Sequence, residues 1–445
     1  MKLEEHPTVL AVRGREGPQT ASQVRVLDAA ELKRLALEAG ADDVGLVEIG
    51  RPALDDQRDD ILQAFPPAKT LLTFVLRMNR EPLRSPARSV ANMEFHHTGD
   101  QVNEAARRIV ARLEALGVRA LNPPMGFPME MDRFPDKIWI VGHKPVAVAA
   151  GLGMIGIHRN VIHPRFGNFI LLGTVLLDAE ATAYDGPIDY NPCLDCKLCV
   201  AACPVGAISP QGNFNFAACY THNYREFMGG FTDWTEQVAD SRGAADYRGR
   251  VSDAETASLW QSLSFGANYK AAYCLSVCPA GEDVIGPYLA DKPSHLKQLL
   301  RPLQDKAETV FVLRNSDAEE VVGKRFPNKR AKRVANSLRP GTIAGFLRGA
   351  PHVFQPGLSK GVDAVYHFTF TGAESCEATI EIRNQTISVR DGLHGQADLH
   401  VTADSATWIG FVRKERSIVW ALLRRKIRLR GPLKRLVAFG NCFPQ

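Results

Sequence analysis

Seven of the nine cysteines in this 445-residue chain fall between positions 193 and 278. Four form the run Cys193-x2-Cys196-x2-Cys199-x3-Cys203-Pro204; Cys219 and then Cys274-x3-Cys278-Pro279 follow. A 2-2-3 spacing wraps a short loop round one iron–sulfur cubane so that three thiolates reach three irons. The fourth thiolate, ahead of proline, points away to a second cluster. Structural zinc is the competing chemistry, but it usually takes two CxxC-type pairs from separated loops. Cys376 and Cys442 lie outside the group and read as inert packing residues.

The run resembles that of bacterial two-cluster ferredoxins. The pseudo-symmetry of such folds implies that Cys278 completes the cluster begun by Cys193, Cys196 and Cys199, leaving Cys203, Cys219 and Cys274 for the second. A full second motif would place a cysteine three residues before Cys274, where this chain has Ala271. The second cluster is therefore expected to be a three-iron cluster, or a 4Fe-4S cluster with a non-cysteine group in the vacancy. His222, three residues past Cys219, is the protein candidate for that place; a solvent ligand or an open corner is the alternative.

Gly151-Leu-Gly153-Met-Ile-Gly156 matches GxGxxG, a pattern that signals a dinucleotide site only between a strand and a helix. Here Pro164 and the strand-like stretch 169–177 follow closely and leave no room for the helix. A glycine-lined wall against a large flat cofactor fits better.

Residues 150–156, then His163-Pro164 and Leu172-Gly173, then the 2-2-3 cysteine motif, resemble epoxyqueuosine reductases and the related reductive dehalogenases. The similarity runs over about 30–290 and includes Phe65-Pro-Pro-Ala-Lys69. It implies a nitroreductase-like α/β domain holding cobalamin, beside a two-cluster ferredoxin-like domain that feeds electrons to cobalt. Gly151, Gly153, Gly156, Arg159, Asn160 and His163 are then the expected corrinoid-binding residues. Asp136, near the place of that family's proton-donating Asp but one residue off in spacing, and His143 are the candidate proton donors.

The elements that must carry these residues are legible in part. Residues 1–27 read as a loosely ordered tail. Asp28 opens a helix whose apolar stripe is Leu32, Leu35, Ala36 and Ala39, ended by Gly40. Strands are expected at 44–48 and 70–76 and an amphipathic helix at 100–116, giving an α/β domain over 28–189. The ferredoxin-like domain spans 190–295, with a helical insert between Cys219 and Cys274, and 296–339 reads as a basic connector carrying Lys324 to Arg333.

From 340 to 445 the pattern changes to an α+β domain. Strands are expected at 364–371, 378–382, 386–390, 398–402 and 426–430, with short helices at 405–413 and 417–425. Tyr366-His-Phe-Thr-Phe-Thr-Gly372, residues 397–403, Trp408-Ile-Gly410 and residues 426–431 resemble sterol carrier protein type 2, which implies a lipid-binding tunnel.

Composition is that of an ordinary folded protein, so wholesale disorder, collagen-like repeats and coiled coil are excluded. From Lys324 onward there are 21 Lys+Arg against 8 Asp+Glu, and before it 33 against 41. An acidic body joined to a basic end implies an anionic partner. The N-terminal residues carry no signal-peptide pattern, so a cytoplasmic location is expected.

Together these point to an iron–sulfur, cobalamin-dependent reductase acting on an apolar lipid, sterol or acyl-CoA ligand, with ferredoxin or flavodoxin as donor and an anionic membrane surface as a further partner. The chain has nothing like the helical repeats that follow the clusters in epoxyqueuosine reductases, so tRNA is disfavoured. The alternatives are a non-catalytic electron-transfer protein and a tRNA-modifying reductase.

Overall fold

Asp28 caps the first long helix: its carboxylate accepts the Glu31 amide at 2.9 Å, and Ala29–Glu38 runs on with Leu32 and Ala36 buried. This computed structural model describes residues 2–14 and 26–444. The expected tail is partly structured. Pro7–Arg13 is a short exposed helix, and Val26–Leu27 pairs in parallel with Glu180–Ala181; the rest of the tail lies outside the described residues.

The first domain is built on a four-stranded sheet whose order is Asp43–Glu48, Thr70–Arg77, Ile170–Leu177, Ala120–Leu121, every pair antiparallel. Thr70–Arg77 is buried from Thr70 to Leu76 because both of its faces are covered, with the Thr70 and Thr73 hydroxyls donating to Ala179 O and Gly173 O. Leu72 and Phe74 pack with Val102, Ala105, Ile109 and Leu113 of one helix layer. Leu71 and Val75 face Leu54, Ile61, Val146 and Ala147 on the other side. The helix expected from residue 100 begins twelve residues earlier, as Arg88–Ala115. Its first turns, centred on Ala91 and Phe95, pack against Leu275 and Val284 of the cysteine domain, so their apolar faces follow tertiary contact.

Two short helices, Leu198–Ala202 and Tyr273–Ser276, form the heart of the cysteine domain and pack on each other through Leu198, Ala202, Tyr273 and Val277. Each is entered through a residue in the left-handed region, Lys197 at φ 52° and Ala272 at φ 54°. The insert between Cys219 and Cys274 is helical as expected, in four helices from Phe216–Asn223 to Asp253–Phe265.

The stretch 296–339 is not a connector. Strands Glu308–Leu313 and Lys329–Val334 pair in parallel across the helix Asp317–Arg325. Val310, Val312, Ala318 and Val322 pack beneath Cys199, Cys203, Val205 and Ala218, so this unit is a floor for the cysteine loops. The basic run is accordingly only partly solvated: the Lys329 side chain is fully buried and pairs with Glu308 at 2.7 Å.

The last domain has a five-stranded sheet ordered Thr386–Asp391, Cys376–Arg383, Ala364–Thr371, Leu399–Asp404, Ile427–Arg430, with only the third and fourth parallel. The expected strands and both expected helices are present, and two further helices, Ile343–Val353 and Leu433–Asn441, pack on the same core through Phe346, Leu347, Leu436 and Phe439. An α+β domain is observed here. Among the described residues no helix is long and apolar enough to cross a membrane.

Candidate functional site

Cys193, Cys196, Cys199 and Cys278 line one small cavity together with Ile157, Ile162 and Ala280. Cys203, Cys219 and Cys274 line a second, far larger one, of about 1860 Å³. The cysteines of each expected group thus share a cavity, although among the described residues no three His, Cys, Asp or Glu side chains converge as a site for a single metal ion. In the large cavity burial raises the thiol pKa of Cys219, with Cys203 and Cys274 adding to it, and pushes Cys274 up to about 12. Burial likewise pushes Cys278 up to about 12. Thiols crowded in apolar surroundings ionise only at a cost, which a cationic metal cage removes by taking them as ligands. The donor set fits iron–sulfur clusters on that ground. Peptide amides already face sulfur, Ile157 N to Cys193 at 3.4 Å and Ala207 N to Cys203 at 3.3 Å, contacts of the kind that tune cluster potentials.

The large cavity lies where the three domains meet. Residues 124–145 of the first domain form one wall, the Cys203, Cys219 and Cys274 region forms the base, and Phe346, Trp408, Phe411 and Phe439 of the last domain close the far side. Its volume exceeds the roughly 300–1,000 Å³ of ordinary ligand pockets, room enough for a corrinoid-sized cofactor and a substrate group. Buried Tyr220 and half-buried Tyr224 and Tyr269 form an aromatic wall, with Tyr220 and Tyr224 stacked at 5.5 Å. Burial raises all three phenol pKa values, to about 12 for Tyr220 and Tyr269, so these hydroxyls keep their protons.

Only part of the expected corrinoid set reaches this cavity. Arg159 and Asn160 line it. Gly151, Gly153 and Gly156 do not: a Cβ on Gly151 would stand 2.5 Å from Gly186 O, one on Gly153 would collide with Ile162 O, and one on Gly156 would meet the Ile162 side chain at 2.7 Å. Their missing side chains let the chain pack against itself in the hairpin Met154–Ile155 and Val161–Ile162 and against the 186 segment. As expected, no helix follows the glycine run. His163 also turns away. Its Nε2 donates to Asp43 Oδ2 at 2.9 Å, and its Nδ1 accepts from the Arg165 and Phe166 amides, fixing a turn.

Both expected proton donors face the cavity, but neither is free to act. His143 donates from Nε2 to Pro124 O at 3.1 Å and accepts at Nδ1 from Thr174 Oγ1 at 2.9 Å. Burial lowers its pKa, so it is a neutral brace for the 124 segment. Asp136 is held by Arg348 of the last domain, through Nε at 2.9 Å and a second contact from NH2. Burial pulls its pKa upward, but Arg348 outweighs this and leaves the carboxyl below its usual range, an ionised group.

His222 is buried beside the second cysteine group. Lys144 and His158 went unnoticed in the sequence. Lys144 is exposed to the cavity and donates to Arg159 O at 2.8 Å, with its charge felt by Cys274 and Cys219. The one available signal was its place beside His143 at a helix start.

Residues 187–209 match the 4Fe-4S binding domain family, so the chain carries an iron–sulfur binding region. Beyond that motif the chain is similar to epoxyqueuosine reductases. It is 42% identical over 76 residues to that of Leadbetterella byssophila, covering 17% of this chain and 22% of the relative. It is 30% identical over 226 residues to that of a Synechococcus strain, covering 43% and 64%. The chain thus spans less than two thirds of the length of these relatives. Among solved structures, an epoxyqueuosine reductase with an epoxyqueuosine-modified tRNA-Tyr stem loop is 16% identical with a TM-score of 0.34, covering 62% of this chain and 78% of that one. A B12-dependent reductive dehalogenase is 16% identical with a TM-score of 0.36, covering 55% and 37%. These structural likenesses are too distant to define the fold.

The relatives bear out the expectation of an oxidoreductase-type enzyme and correct the expected partners. They are named as epoxyqueuosine reductases, after a modified nucleoside of tRNA, which overturns the view that tRNA is disfavoured. These relatives do not support the lipid, sterol or acyl-CoA ligand or the membrane surface. The argument from missing helical repeats fails because phosphate affinity needs positive charge and no particular fold, and this chain concentrates that charge after residue 324.

Proposed function

We propose that this chain is an iron–sulfur, corrinoid-dependent reductase acting on a modified nucleoside in tRNA. The observation that carries the reading is the joining of Cys203, Cys219 and Cys274 to a cavity of about 1860 Å³, so that an electron relay and a large reaction chamber share one wall. A bound corrinoid supplies the low-potential cobalt centre that delivers electrons to the substrate. Arg159, Asn160, Lys144 and the aromatic wall are the residues placed to hold it. The half-buried phenols of Tyr224 and Tyr269 keep protons at Oη inside the chamber. The 124–145 segment, braced by His143, and the last domain, latched through Arg348 and Asp136, keep bulk water out. Arg339, Arg413 and Lys414 line the cavity from the basic end of the chain, where a phosphate backbone would lie.

Reducing an epoxide to an alkene consumes two electrons and two protons and releases the oxygen as water. The test is to incubate the anaerobically reconstituted, corrinoid-loaded protein with a chemical reductant and epoxyqueuosine-modified tRNA, and to weigh the released nucleoside by mass spectrometry. Loss of one oxygen is expected. Unchanged nucleoside, with clusters and corrinoid both bound, would remove the tRNA substrate from the reading.

A further inference from the structure

The two short cysteine helices are entered in the same way, and the comparison isolates one residue. In the first loop Cys196 precedes left-handed Lys197, and Cys199 follows on the helix Leu198–Ala202; in the second Ala271 precedes left-handed Ala272, and Cys274 follows on Tyr273–Ser276. Cys203 and Cys278 then stand four residues on in each. Ala271 therefore occupies, in backbone conformation as well as in spacing, the place that Cys196 holds in its twin. It lines the large cavity along with Ala272 and the three remaining cysteines.

His222 is tied to that place through the residue that follows it, and both it and Ala271 line the large cavity. Its neighbour Asn223 accepts the Ala271 amide through Oδ1 at 3.0 Å and the Lys270 amide through its own carbonyl at 3.2 Å. The His222 ring is 1% exposed, and its Nε2 has no partner among the described residues. Its Nδ1, however, accepts a hydrogen bond from the Phe311 amide at 3.3 Å. A neutral imidazole that accepts at Nδ1 carries its proton on Nε2. A nitrogen bearing a proton has no lone pair for iron, and ligation through Nε2 would set an Nδ1 proton against the Phe311 N–H. The ring is thus built as an N–H donor whose acceptor is absent from the polypeptide.

We propose that His222 donates an Nε2–H hydrogen bond to sulfur of the second cluster and is not its fourth ligand, and that the corner at Ala271 has no protein ligand and opens onto the large cavity. That corner takes a small anionic donor from the cavity, such as hydroxide, cyanide or a carboxylate. Lys144, which lines the same cavity and interacts with Cys274 and Cys219, favours negative charge near them. This rests on the iron–sulfur part of the function proposed above and adds a ligand-binding site to it.

The test uses the full chain, reconstituted without oxygen, in four forms: unchanged, Ala271→Cys, His222→Ala and His222→Gln. Iron and sulfide content, the EPR spectrum with and without cyanide, and midpoint potentials are read. In the unchanged protein cyanide should alter the spectrum of one cluster and leave the other alone. Ala271→Cys should abolish that response. His222→Ala should keep both the iron content and the cyanide response while lowering the potential of the responsive cluster, because a hydrogen bond to sulfur is lost. His222→Gln, which retains an N–H donor, should lie closer to the unchanged protein. Loss of iron from one cluster in both His222 variants would make His222 a ligand and overturn the proposal. Two clusters that are both indifferent to cyanide would also overturn it while leaving the reductase reading intact. A protein with no iron–sulfur spectrum at all would sink both.

Discussion

Single residues around the cysteines carry charge where charge is costly, and their pH behaviour exposes the design. Burial pushes the His158 imidazole down to about 4, with Lys144 adding to the effect. A folded pKa below the unfolded value of about 6.5 means that stability is full above that pH and is lost as pH falls toward 4. Denaturant unfolding of the apoprotein across this window should show the loss, and His158→Gln should flatten it. Glu308 behaves like a paired acid: burial raises its pKa, but Lys329 and Lys306 bring it below the ordinary carboxylate value. Its contribution is present above the unfolded value of about 4.3 and disappears as pH drops through the folded one. Lys329→Met leaves that buried carboxylate facing only Lys306 and Tyr273; it should cost about 3–5 kcal/mol in chemical denaturation and turn the Glu308 pH dependence the other way.

At the scale of elements, close packing between strands and loops sets the frame. Gly173 lies opposite Phe74 in the antiparallel pair of central strands, where an added Cβ would run into the Phe74 ring. Gly173→Ala should therefore destabilise by about 1–3 kcal/mol, measurable as a lowered denaturation midpoint, with the cysteine domain untouched. The same kind of contact explains what the sequence could and could not reveal. The helix after Asp28, the strands at 43–48 and 70–77 and the C-terminal sheet were readable because capping and apolar periodicity are local. The 4Fe-4S motif itself was readable because the 2-2-3 spacing constrains one short loop, whereas the assignment of Cys278 to it comes from the resemblance to two-cluster ferredoxins. The glycine run misled because a missing side chain looks the same in sequence whether a cofactor or another piece of backbone fills the space; here Gly186 and Ile162 fill it. The 296–339 unit was taken for a connector because its buried Lys329 is satisfied by Glu308, twenty-one residues earlier, a pairing that local pattern does not encode.

Across the whole molecule the domains converge on one chamber, and the basic final domain is part of its wall. If tRNA phosphate lies along that wall, affinity should fall steeply with salt, and the double change Arg413→Glu with Lys414→Glu should weaken binding and reduce the slope of log affinity against log salt by roughly one unit per contact removed. Filter binding at several salt concentrations reads both. The central claim, that two iron–sulfur clusters feed electrons into a corrinoid-sized chamber, is tested most directly by titrating cobalamin into anaerobically reconstituted protein whose clusters have been chemically reduced. The account predicts saturable binding of one corrinoid per chain, with cobalt becoming reduced as the clusters are oxidised. A colourless protein carrying zinc, or clusters that stay reduced while cobalamin remains free, would contradict it.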